Sequence, residues 1–127
     1  MMYLLDTHTL LWFLRDDSRL SSNARSIIMD ANSITQASCI SLWEIALKKN
    51  LGKLQFDYSI ADIAQLCQDT AIPLLGISPD ELDDLATLPF IHRDPFDRLL
   101  ISQARKRHLA IITKDSIIPK YDVRTIW

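Results

Sequence analysis

The chain has 127 residues, 48% of them hydrophobic and 24% charged, with a formal net charge of −2. That length fits one domain with its own hydrophobic core, so folding requires neither a disulfide framework nor a structural metal. The small negative charge gives no bulk warrant for nucleic-acid binding, and no apolar run reaches the ~20 residues needed to cross a bilayer.

The opening Met-Met-Tyr-Leu-Leu-Asp has no basic leader of the kind that begins a targeting signal, so a soluble cytoplasmic protein is expected. Residues 2–5 read as a strand ending at Asp6, after which Leu10, Leu11 and Leu14 recur with helical spacing. A second helix is expected over residues 23–31, a strand over 37–40, and a helix over 41–50 that stops near Gly52. Cys39 and Cys67 sit in apolar surroundings and read as buried thiols of a reduced compartment. Ile60, Ile63, Ala64 and Cys67 mark a helix over 59–70, followed by a strand over 72–77 that Pro73 and Gly76 interrupt. Ser78-Pro79-Asp80-Glu81 has the cap, proline and acid of a helix start in order. A helix over 94–107, a strand over 110–113 and a final strand over 123–127 complete the chain. Short apolar strands alternating with helices predict a single domain over residues 1–127. Its architecture is a three-layer α/β/α sandwich around a mainly parallel sheet of four to five strands.

In open parallel sheets, ligands bind beyond the carboxyl ends of the strands, so acids arriving there count most. Asp6 ends the first strand, Glu44 follows the 37–40 run, Asp115 follows the strand over 110–113, and Asp94 and Asp97 open a helix. Asp97 also heads the stripe Leu100, Ile101, Ala104, which points it toward the buried side of that helix and calls for a compensating partner. Carboxylates gathered in one cavity repel unless a hard divalent cation neutralises them, and such ions assist phosphodiester hydrolysis. Structural alternatives stand beside this. Ser41 and Glu44 fit a capping box, Asp94 before Pro95 fits a helix cap, and Asp115 fits a turn. Asp6 is followed by Thr7, which can cap the next helix itself. The three histidines lack zinc spacing, and neither a nucleophile elbow nor a glycine-rich phosphate loop occurs.

Four blocks occur in order: Leu4-Leu5-Asp6-Thr7-His8-Thr9-Leu10-Leu11-Trp12, Ser41-Leu42-Trp43-Glu44-Ile45, His92-Arg93-Asp94-Pro95-Phe96-Asp97-Arg98-Leu99-Leu100 and Thr113-Lys114-Asp115. Over the whole chain they resemble the PIN-domain ribonucleases, most closely the VapC-like toxins of toxin-antitoxin pairs. The resemblance implies a Mg2+ or Mn2+ site built from Asp6, Glu44 and Asp97, with Asp115 as a more variable fourth acid and Asp94 in support. It further implies endonucleolytic RNA cleavage, silencing by a cognate antitoxin, and a homodimer.

On this reading Thr7 and Thr113 orient the acids, and Arg98 or the Arg105, Lys106, Arg107 cluster steadies the RNA backbone. Trp12, Phe13 and Trp43 are either core residues or a dimer or antitoxin surface. Two other readings are open: a phosphoryl-receiver module using Lys114, and a PIN nuclease that processes RNA without an antitoxin.

Overall fold

Alternate residues of a strand face opposite ways, and in the first strand this divides the core in two. A computed structural model describes residues 1–127. In β1 (Met2–Leu5), Tyr3 and Leu5 join a cluster with Leu10, Leu11, Ala37, Ile45, Ile63 and Ile112. Leu4 faces the other way, into a cluster with Leu100, Ile101, Ala104, Ile111 and Ile118. The first cluster is covered by α1 (Thr7–Leu14), α2 (Ser22–Met29), α3 (Cys39–Asn50) and α4 (Ile60–Asp69). The second lies under α6 (Pro95–Arg107), against which α5 (Pro79–Ala86) packs. This is the three-layer sandwich expected.

The sheet has five strands, all parallel, in the order β3-β2-β1-β4-β5, where β2 is Ile34–Ser38, β3 Leu74–Leu75, β4 Ala110–Ile112 and β5 Thr125–Ile126. Leu4 pairs with Gln36 on one side and Ile111 on the other, so β1 is central. The order reverses direction between β1 and β4, and a ligand crevice is expected beyond their carboxyl ends. A receiver module has the flavodoxin-like order 2-1-3-4-5. The observed 3-2-1-4-5 order removes that reading.

Several boundaries differ from the sequence expectation. β2 begins three residues before position 37, because Thr35 and Gln36 are polar yet buried and break the apolar run. It also ends two residues early: Ser38 Oγ accepts the Ile40 N–H at 3.1 Å, so α3 starts at Cys39 rather than Ser41. Cys67 is buried as expected, whereas Cys39, at that helix start, is only half-buried. β3 shrinks to two residues. Pro73 lacks an N–H for the ladder, although its carbonyl still accepts from Ala37 at 2.9 Å. β5 is likewise two residues, within the expected 123–127.

Candidate active site

The strand-to-helix junctions at the carboxyl ends of β1, β2 and β4 each present an acid or the hydroxyl that holds one. Asp6 follows β1 in extended backbone and is itself the N-cap of α1: Oδ1 accepts the Thr9 N–H at 2.8 Å. The cap role expected of Thr7 is therefore corrected, since Thr7 lies inside the helix. Thr113, just past β4, donates its hydroxyl to Asp6 Oδ2, and Thr9 Oγ1 donates to Ile112 O at 2.9 Å. These bonds stitch α1 to the end of β4. Burial pushes the Asp6 carboxyl above its ordinary value, and the bonds from Thr113 and Thr9 oppose that shift.

Glu44 is corrected as well. With α3 beginning at Cys39 it lies in the second turn, so the capping box with Ser41 does not form. Its side chain is nearly inaccessible and meets two partners: Thr7 Oγ1 donates to Oε1 at 2.6 Å, and Lys48 Nζ, one turn further on, stands 2.5 Å from Oε2. Ser41 Oγ lies 2.9 Å from Thr7 Oγ1; because Thr7 has one proton and gives it to Glu44, Ser41 supplies the proton of this second bond.

Asp94 caps α6 as expected, its Oδ1 accepting the Phe96 and Asp97 N–H groups, both at 2.9 Å. Asp97 is partly buried, and His92 Nε2 lies 3.4 Å from its Oδ2. Neighbouring bonds fix the tautomer of that histidine. Tyr121 Oη accepts from Arg98 Nη1 and from the His92 backbone N–H, both at 3.1 Å, which fills its lone pairs. Its own proton therefore goes to His92 Nδ1 at 2.8 Å, and the remaining ring proton, on Nε2, faces Asp97. Asp115 serves as the turn residue it resembled, Oδ1 accepting from Ile117 at 2.6 Å and Ile118 at 3.3 Å, while its N–H donates to Thr113 Oγ1 at 3.0 Å.

The acids converge as a field. Burial, and then the charges of Asp94, Asp6, Glu44 and Asp115, push the Asp97 carboxyl up to about 8. No three His, Cys, Asp or Glu side chains stand close enough to form a ready-made cage for a metal ion. Glu44 is held by Lys48 and Asp97 by His92 in this state. The groups that act on Asp97 are nevertheless carboxylates, two of them bonded to the Thr7 and Thr113 hydroxyls, with an excess of negative charge among them. That chemistry fits a hard divalent cation.

The basic residues expected to hold RNA are placed otherwise. Arg98 is buried: Nη1 donates to Pro89 O at 2.9 Å, Nη2 to Leu88 O at 3.3 Å, and the guanidinium stacks 4.2 Å from the Phe90 ring centre. Its guanidinium is thus engaged by partners within the chain. Arg105, Lys106 and Arg107 end α6, roughly 12–15 Å along the helix from Asp97 at 1.5 Å per residue. There Arg105 pairs with Asp84 and Asp122, and Arg107 with Glu81. Trp43 is exposed and meets Phe96 edge-on at 4.7 Å, whereas Trp12 and Phe13 are partly buried against the core.

Sequence reasoning missed Lys48, His92 and Tyr121 as neighbours of the acids, and it put Ser41 beside Glu44 as a capping-box partner where the structure links the two through Thr7. The Glu44 to Lys48 spacing of one helical turn was a usable signal. Tyr121 gave none, since 29 residues separate it from His92.

A family model for the PIN domain matches residues 3–124, and the chain belongs to the PIN-domain family, a family of nucleases. Three solved structures have a similar fold. VapBC2 from Rickettsia felis, bound to a DNA fragment from its promoter, has a TM-score of 0.75 at 14% identity, covering 100% of this chain and 99% of that one. FitAcB from Neisseria gonorrhoeae gives 0.67 at 17% identity, covering 100% and 97%. VapBC-5 from Mycobacterium tuberculosis, a member of the VapBC family of toxin-antitoxin systems, gives 0.59 at 16%, covering 98% and 97%. No curated protein matches the chain in sequence. No helix is long and apolar enough to cross a membrane.

Proposed function

We propose that this chain is a Mg2+- or Mn2+-dependent endoribonuclease and the toxin of a toxin-antitoxin pair. The observation that carries the nuclease reading is the gathering of Asp6, Glu44, Asp94 and Asp115 around the partly buried Asp97 in a PIN-domain fold, with Asp6 at the carboxyl end of the central strand β1. Asp6, Glu44 and Asp97 would hold the ion, with Asp115 beside them. Bound there, the ion supplies neutralisation of the carboxylates and activation of water for attack on a phosphodiester. Thr113 fixes Asp6, Thr7 fixes Glu44, and His92 orients Asp97 through its Nε2 proton. Asp94 sets the start of α6 and so the position of Asp97. The toxin reading is supported by the toxin-antitoxin proteins among its structural neighbours, and the exposed Trp43 suits a protein contact, with a second copy or with the antitoxin.

The purified chain is expected to cut single-stranded RNA with Mg2+ and to stop when the ion is chelated. Co-expression with the product of the adjacent gene should relieve growth arrest. Cleavage that continues in excess chelator would refute the metal site, and cleavage without growth arrest or inhibition by that gene product would favour an RNA-processing role.

Lys48 bears on the same site, because its ammonium occupies Glu44 Oε2 and any incoming cation must compete with it. Lys48→Met is expected to tighten Mg2+ binding about three- to tenfold in a calorimetric titration, through loss of that competing charge. Unchanged or weaker binding would remove Lys48 from this role.

A further inference from the structure

The largest cavity, about 630 Å³, is an apolar groove on α4 and β3, away from every acid of the site. A second cavity, of about 380 Å³, borders the site directly and is lined by His8, Trp12, Arg19, Lys114 and Asp115. His8 lies two residues past Asp6, and Lys114 directly follows Thr113, so this cavity opens at the same carboxyl ends of β1 and β4. Its composition differs from that of the acid cluster beside it. The His8 and Trp12 rings stand 5.8 Å apart with their planes tilted by 36°, and the Arg19 guanidinium lies 5.2 Å from the Trp12 ring centre. Trp127 braces Trp12 edge-on at 5.8 Å, which fixes the indole while part of it remains open to solvent. Arg19 is held in place by Asp17, its Nε at 3.0 Å and Nη2 at 2.7 Å from the two carboxylate oxygens. Lys114 is exposed and pairs with no carboxylate.

Aromatic faces combined with fixed cations are what an unpaired nucleotide requires: stacking for the base and positive charge for its phosphate. The volume is at the small end for ligand pockets and suits one splayed nucleotide, not a duplex. We propose that the pocket of His8, Trp12, Arg19, Lys114 and Asp115 is a nucleotide subsite. It takes one unpaired base of the RNA next to the bond that is cut, with His8 and the part of Trp12 that Arg19 leaves open as the stacking wall, and Lys114 and the remaining Nη1 of Arg19 as the phosphate contacts. The assignment rests on the ribonuclease reading. It also supplies the RNA contact that Arg98 and the far end of α6 do not.

The test uses the chain carrying Asp97→Asn, so that RNA binds without turnover, and a fluorescently labelled, unstructured single-stranded RNA of about ten nucleotides. The double change Arg19→Ala and Lys114→Ala is expected to weaken binding about tenfold at moderate salt. It should also flatten the log-log salt dependence by roughly 1.4, the value for two phosphate contacts on a single strand. Trp12→Leu should weaken binding by about tenfold, and Trp12→Phe by about threefold, because the stacking face is partly kept. Lys106→Ala, at the far end of α6, should change nothing. In the otherwise unaltered chain the Arg19 and Lys114 changes should raise KM and leave kcat within about twofold. Should Trp12→Leu fail to fold, the two surface substitutions still decide the matter. Unchanged affinity and salt slope in the double variant would overturn the subsite, even with cleavage intact. Loss of antitoxin inhibition with unaltered RNA affinity would assign the pocket to a protein partner and overturn it too. Pocket-dependent RNA binding by a chain that never cleaves RNA would leave the subsite standing and refute only the nuclease reading.

Discussion

Asp97→Asn is expected to reduce Mg2+-dependent RNA cleavage by about a thousandfold or more and, in the same variant, to stabilise the metal-free fold. The loss of activity follows from removing one of the charges around which the proposed cation site is built. The gain in stability follows from the Asp97 carboxyl itself, which folding raises from 3.8 to about 8. Between those values the folded chain retains a proton that the unfolded chain has released. The stability cost is therefore absent below about pH 4, grows as pH rises, and is complete above about pH 8. The full displacement corresponds to about 5–6 kcal/mol at 1.36 kcal/mol per unit. Relaxation and water at a carboxyl that is 18% exposed leave on the order of 2–3 kcal/mol, or roughly 8–12 °C in Tm. Thermal melts in chelator at pH 5 and pH 8.5 check this: the gap between variant and parent should be small at the first and large at the second. A gap that is equal at both pH values, or a variant that melts lower at pH 8.5, would show that burial and the surrounding acids do not destabilise the charged Asp97.

Part of the arrangement around Asp97 was visible in the sequence. Asp94 was legible because a helix cap is local: the acid, the proline and the two amides it accepts from all lie within four residues. Asp97 was legible for a similar reason, since its spacing to Leu100, Ile101 and Ala104 is set by one helix. Where contacts come from distant parts of the chain, sequence reasoning had less to work with. Asp6 seemed free of a structural duty because Thr7 looked like the cap; that α1 begins without any intervening loop follows from Thr9 anchoring to the end of β4, over a hundred residues away. Glu44 looked like a capping-box acid because Thr35 and Gln36, polar but buried, hid the true strand and moved the expected helix start by two residues.

Arg98 is the case in which position in a helix and position in the fold disagree most, and changing it should have a large effect on stability. It follows Asp97 directly, and a cation beside a cluster of acids invites assignment to RNA. In the structure its guanidinium instead gathers the carbonyls of Leu88 and Pro89, the Tyr121 hydroxyl and the face of Phe90, tying the segment that leads into α6 to the C-terminal part of the chain. Arg98→Ala would leave the Leu88 carbonyl without a donor inside the protein, leave Pro89 O with the Ile91 N–H alone and open a void, at a cost of about 3 kcal/mol and a Tm lower by about 10 °C. Arg98→Lys should recover less than half of that, because a single ammonium cannot reproduce the planar fork or its stacking on Phe90. Loss of Arg98 also frees a lone pair on Tyr121, so the proton on that hydroxyl is no longer directed to His92 Nδ1, and the Nε2 proton facing Asp97 loses its lock. The Lys variant, assayed well below its melting point, is therefore expected to lose kcat while keeping RNA affinity and its salt dependence. A stable Arg98→Ala chain with weaker RNA binding and a shallower salt slope would return Arg98 to the RNA-binding surface.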